Sequence, residues 1–258
     1  MSRLRRIWTL AVNTLREAIR NKLLYTLLFF ALLLIGSASL LASLSYVERE
    51  RILQDIALAA VRLFGVAIAI FVGVGLIHKE VDRRTVYTIL SKPLSRAEFL
   101  LGKYLGLVLT LWLQMAIMVI AFGATSLATG VALGPTHAAA LLLTGVELAL
   151  VVAIATLFSA FTTPLLASFF SAGLWALGHL SRELRDLGLH AELGAVKAAT
   201  ALLHRVLPDL ASFDLGVEAA HGLPITASDV WLPLVYGAGY VAILLCCAIA
   251  IFERRDFR

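Results

Sequence analysis

Residues 104–181 read YLGLVLTLWLQMAIMVIAFGATSLATGVALGPTHAAALLLTGVELALVVAIATLFSAFTTPLLASFFSAGLWALGHLS and carry one charged side chain, Glu147. A membrane helix needs about 20 apolar residues to cross roughly 30 Å of hydrocarbon, so this stretch is too long for one crossing or two. Two turn signals divide it, Gly134-Pro135-Thr136 and Thr162-Thr163-Pro164. The reading is three helices, near 104–128, 138–160 and 164–180. Working outward, residues 23–47 and 230–252 are each free of Asp, Glu, Lys and Arg, and residues 56–77 contain only Arg62. The expected total is six membrane helices in one all-α unit spanning 1–258.

Composition agrees. Hydrophobic residues are 60% and charged residues 15% of the 258 residues, with a mean hydropathy of +0.92. A soluble globule has about 25% charged residues and more surface than so few charges can cover. That excludes a soluble enzyme, a nucleic-acid-binding domain and a disordered tail. The net charge of +5 reflects loop topology. Six Lys or Arg precede residue 23, six lie in 78–103 and three follow residue 252. Those segments are assigned to the cytoplasm, with both termini inside and the chain in the cell inner membrane. The basic N-terminal residues lead into an apolar segment longer than the roughly 7–15 residues of a signal-peptide core, so 23–47 is read as a retained span.

Within residues 1–22, Leu4, Ile7, Trp8, Ala11, Val12, Leu15, Ala18 and Ile19 recur at helical spacing, with Arg3, Arg6, Asn13, Arg16, Glu17 and Arg20 opposite. A basic amphipathic helix lying on the inner membrane surface is expected. The loop 78–103, HKEVDRRTVYTILSKPLSRAEFLLGK, begins with dense charge. Thr85–Leu90 is long enough for one or two helical turns, and Ser91-Lys92-Pro93 ends them. Ser95-Arg96-Ala97-Glu98 matches a capping box, so a helix should start there and run into the third span. Residues 182–229 form the longest external piece, with broken amphipathic helix up to Pro208 and a turn-rich, acidic remainder. It is too small for an independent catalytic domain. Residues 253–258 are a cytoplasmic tail.

No catalytic or phosphate-binding signature is present. Gly102-Lys103 lacks the upstream glycine and following Ser or Thr of a phosphate loop, and neither HExxH nor GxSxG occurs. The six histidines show no ligand spacing, and His78, His137 and His179 are read as membrane-border residues. Adjacent Cys246 and Cys247 are read as small apolar packing residues. No metal or cofactor is assigned to this chain. Glu147 is the one acid at membrane depth, where a charge must be paired, protonated or turned to a cavity. Arg62 is its candidate partner. Two readings stand for this pair: a group lining a substrate route or coupling movement to ligand, and a polar tether between helices. Gly65, Ala69 and Gly73, with Ala38/Ala42 and Ser39/Ser43, form small-residue seams suited to close helix packing, within the chain or between subunits.

These features together resemble the type-2 ATP-binding-cassette (ABC-2) transporter permeases. The resemblance rests on NTLREAIRNKLLY (13–25), EVDRRTVYTILSKPLSRAEFLLGKYLG (80–106), LPDLASFDL (207–215), HGLP (221–224) and FERRDF (252–257). The branch it is most similar to is that of bacterial nitrous-oxide-reductase maturation and gliding-motility permeases. The resemblance implies two six-span permease subunits, identical or related, and two copies of a separate ATPase that binds ATP and Mg. It implies a coupling helix at about 83–91 entering a cleft on that ATPase. Glu80, Asp82, Arg83, Arg84, Thr85 and Tyr87 are then the coupling residues. It also implies short helices from 182–229 capping the outer mouth. The expected function is ATP-driven export by a permease with no nucleotide site of its own. The alternatives are a non-transporting anchor that transmits force to an external or periplasmic partner, and an ion-coupled secondary transporter. Lipid is an expected partner and nucleic acid is not.

Overall fold

The computed structural model describes residues 3–44, 48–82, 95–181, 183, 186–187, 197–198, 200, 202 and 207–254. Among them no strand occurs, and the helices run α1 (Arg3–Ile19), α2 (Lys22–Ala42), α3 (Arg49–Asp82), α4 (Arg96–Thr129), α5 (Pro135–Ser159), α6 (Pro164–His179), α7 (Gly216–Ala220) and α8 (Ala227–Arg254). A 3₁₀ turn, Leu210–Phe213, precedes α7. Five of these, α2, α3, α4, α5 and α8, are long and apolar enough to cross a membrane. The sixth expected span, α6, has 16 residues, or about 24 Å of helix.

Local chemistry sets the boundaries. Asn21 breaks α1 from α2 and caps the latter, its side chain accepting from the Leu23 N–H at 3.0 Å. The Ser95–Glu98 capping box forms, with both reciprocal bonds at 3.2 Å, and one continuous helix runs from Arg96 through Lys103 to Thr129. Gly130, at φ 75°, ends it in the left-handed conformation that glycine adopts without penalty. Pro135 and Pro164 each sit in the first turn of their helix, where a missing N–H costs nothing. Polar turns prolong the helices beyond their apolar stretches: α3 begins at Arg49 rather than 56, and α4 begins at Arg96, where the Ser95–Glu98 cap places it.

The central element is α5. Leu148 and every residue from Leu150 to Ala155 are fully buried. A helix apolar on all sides suits that position. It packs against α3, α4, α6 and α8. Helices α2 and α8 are peripheral and turn Phe29, Phe30, Leu33, Trp231, Leu232 and Ile243 outward. Cys246 and Cys247 also face outward on α8, unpaired. On the same helix Leu244, Leu245 and Ala248 point inward. The Gly65–Ala69–Gly73 seam works within the chain, since Gly65 meets Leu148 of α5 and Gly73 meets Leu107 and Ala155.

Helix α1 is a separate element, seated on α4. Ala11, Thr14 and Ala18 are buried in this contact. A Cβ on Gly102 would lie 2.6 Å from that of Leu10, and one on Gly106 would lie 2.5 Å from that of Thr14. Two absent side chains thus let the helices approach. Arg6 donates to Glu98 at 2.8 Å, and the buried Lys103 ammonium pairs with Glu17 at 3.3 Å.

Candidate functional site

The site forms where the end of α6 meets the middle of α5. Glu147 is fully buried. Its Oε1 accepts from Trp175 Nε1 at 2.9 Å and lies 2.8 Å from His179 Nε2. Trp175 and His179 are four residues apart, one turn of α6, so both reach the same carboxylate. Arg62 of α3 stands on the other side, its Nε 3.2 Å from Glu147 Oε2. That contact is an ion pair without hydrogen-bond alignment, and Oε2 accepts no hydrogen bond from the described residues.

Arg62 is shared. Its Nη1 pairs with Asp214, which lies between the 3₁₀ turn and α7. The other Asp214 oxygen accepts from the Gly216 N–H at 2.9 Å. Burial alone would raise the Asp214 carboxyl pKa, but the Arg62 bond and charge, the Gly216 N–H and the nearby His179 together hold it below the usual carboxylate range. Packing reinforces the polar links. Leu210 and Phe213 are fully buried; Leu210 closes on Gly178 of α6, and Phe213 on Gly237 of α8. The Asp209 N–H donates to Tyr236 Oη at 3.1 Å. The 207–220 stretch thus fills the space beyond the end of α6, wedged among α3, α5, α6 and α8.

The structure therefore brings Arg62 and Glu147 together and adds Trp175, His179 and Asp214. His179, read as a border residue, is the last residue of α6 and also a direct partner of Glu147. Its only sequence signal was position: one turn after Trp175, at the close of the apolar run 164–180. Asp214 carried no comparable signal, because tertiary folding alone returns it to α3. His78 is a structural link, its ring nitrogens lying 3.3 Å from the Val74 carbonyl and 2.8 Å from that of Thr162. Glu80 and Asp82 fall in the last turn of α3, described by its backbone only, and Arg83, Arg84, Thr85 and Tyr87 lie outside the described residues.

A buried acid ringed by a guanidinium, an imidazole and an indole N–H, with one oxygen unfilled, can hold a charged helix junction closed or accept a polar or cationic group that enters. A separate cleft of about 820 Å³ opens between residues 48–54, the α4–α5 turn and the end of α7, with Arg49, Arg51, His137 and His221 on its walls.

Long apolar helices around a buried ionic junction define a multi-pass α-helical membrane protein. The chain belongs to the ABC-2 family: the family model described as "ABC-2 family transporter protein" matches residues 8–257. It is also 30% identical to the "Probable ABC transporter permease protein NosY" of Pseudomonas aeruginosa, in an alignment covering 96% of this chain and 98% of that one. Permeases of this family work with an ATPase subunit.

Proposed function

We propose that this chain is the export-type permease subunit of an ATP-binding-cassette transporter in the cell inner membrane. It crosses the bilayer six times with both termini cytoplasmic and pairs with a second, identical or related permease. Two copies of a separate ATPase, which hold ATP and Mg, drive it. The observation that carries the reading is the set of contacts made at the start of α4, which follows residues 83–94 in the sequence. There the helix is capped, and Glu98 of that cap also binds Arg6 of α1. Arg96 reaches across to the Phe252 and Glu253 carbonyls at the end of α8, at 3.1 and 3.0 Å. A push on the loop would reach three helices at once through stiff contacts.

In this reading Glu80, Asp82, Arg83, Arg84, Thr85 and Tyr87 contact the ATPase. Arg62 and Glu147 form the polar junction that must open, or be bridged by cargo, during transport. Co-purification with the cognate ATPase tests the assembly. Reversing the charge at Arg83 and Arg84 should depress coupled ATP hydrolysis several-fold. Unchanged binding and turnover in that variant would remove the loop from docking. Force transmission without transport would show as intact coupled hydrolysis with no cargo moved in sealed vesicles.

A further inference from the structure

We propose that α1 carries a binding site for the headgroups of anionic phospholipids, formed by Arg5, Arg16 and Arg20 beside the apolar stripe Leu4–Trp8–Leu15–Ile19. Three observations carry it. First, the roll of α1 is fixed. The Gly102 and Gly106 notches grip its Ile7–Ala11–Thr14–Ala18 face, so the neighbouring stripe faces one constant direction. Second, that stripe is bare. Leu4 is 80% and Trp8 58% exposed, and Ile19 is also exposed. At 3.6 residues per turn, the four positions fall on one line.

Third, the charges beside the stripe are treated differently from those that face protein. Arg6 and Lys103, at the α1–α4 contact, are matched by Glu98 and Glu17. Arg5, Arg16 and Arg20 are exposed and bond no described carboxylate. They share one flank of the stripe at eleven- and four-residue intervals. An apolar stripe with an indole, edged by free guanidiniums, complements a headgroup layer of excess negative charge. The acyl boundary takes the stripe, and phosphate oxygens take the planar N–H forks. A zwitterionic membrane would satisfy the stripe and offer phosphates too, but each is balanced by its own choline cation, so it supplies no excess negative charge for the three arginines.

The proposal rests on the chain being a membrane protein and is independent of the ATPase, so it is tested without one. The purified full chain is reconstituted in vesicles of phosphatidylcholine with about 30% phosphatidylglycerol, enough to give an anionic surface. It is then re-extracted, and the lipids it retains are measured by native mass spectrometry. Wild type should enrich phosphatidylglycerol several-fold over the bulk ratio. The R5Q/R16Q/R20Q variant should fall to the bulk ratio, while R5K/R16K/R20K keeps most of the enrichment. High salt should reduce it, as exposed charges are screened over about 8–10 Å. Equal enrichment in wild type and the Gln variant would overturn the proposal. So would loss of a second copy by the Gln variant in lipid-free detergent, because the arginines would then be serving a protein contact. Should the Gln variant not fold, the salt series and the Lys variant decide the matter.

Discussion

His179 Nε2 lies 2.8 Å from Glu147 Oε1, and this contact joins the last residue of the short helix α6 to the middle of α5. Because the same carboxylate faces Arg62, and Arg62 faces Asp214, four segments distant in sequence meet through three links.

Withdrawing the Glu147 charge should expose how far these links depend on one another. Glu147→Gln keeps an acceptor for Trp175 and His179 but leaves Arg62 with Asp214 alone. A loss of about 1–3 kcal/mol is expected, below the roughly 3–5 kcal/mol of a buried pair fully broken from one side. Thermal unfolding in detergent of Glu147→Gln, Arg62→Met and the double variant forms a cycle. A coupling above about 1 kcal/mol is expected, and additivity would mean that the pair is not energetically linked.

Asp214 should give the Arg62 junction an acid limit. Its carboxyl is held below the ordinary value of about 3.8, so the folded state favours the ionised form. That stability is present above the ordinary carboxylate range and disappears as pH falls through the lowered folded pKa. Melting of wild type should therefore decline more steeply with acidification below about pH 4 than that of Asp214→Asn. Parallel curves would argue that Arg62 does not stabilise the carboxylate.

The α1–α4 contact should be intolerant of a single methyl. At Gly106 an added Cβ would also lie 2.6 Å from the Ala11 carbonyl, backbone that cannot swing aside. Gly106→Ala is expected to cost about 1–3 kcal/mol and to expose α1 to trypsin. Gly123→Ala, in the same helix with nothing within 4 Å, should be neutral or gain up to about 1 kcal/mol. Equal behaviour of the two variants would deny the notch its role.

Removing the cap on α4 should weaken both the fold and the proposed coupling. Ser95→Ala loses one side of the capping box and about 0.5–2 kcal/mol, while Ser95→Thr retains it. On the proposed function, ATP hydrolysis by the partner should become less sensitive to cargo in the Ala variant only. Normal coupling at reduced melting temperature would confine Ser95 to stability.

The membrane helices were legible because charge is so costly in lipid that its absence marks them. Residues 23–42 of the expected 23–47, 56–77, 104–128, 138–159 of the expected 138–160, and 230–252 fall on long helices. Their ends were less legible, since a helix continues into water wherever its polar turns permit, as the start of α3 at Arg49 shows. The Ser95–Glu98 cap could be read because its bonds are local. The site was half visible. Glu147 and Arg62 stood out as charges in apolar runs, whereas Trp175, His179 and Asp214 join them only through tertiary packing. The face taken by Cys246 and Cys247 was not legible for a related reason: in lipid, small apolar residues satisfy the outside of a helix as well as the inside.

Helix α6 is shorter than the hydrocarbon layer by about 6 Å, and residues 207–220 occupy the room beyond it. Withdrawing that plug would bring water to Glu147 while every long helix kept its tilt. The door at this end of the bundle would then be a stopper on a tether, and the work of lifting it would be set by one arginine's hold on two acids.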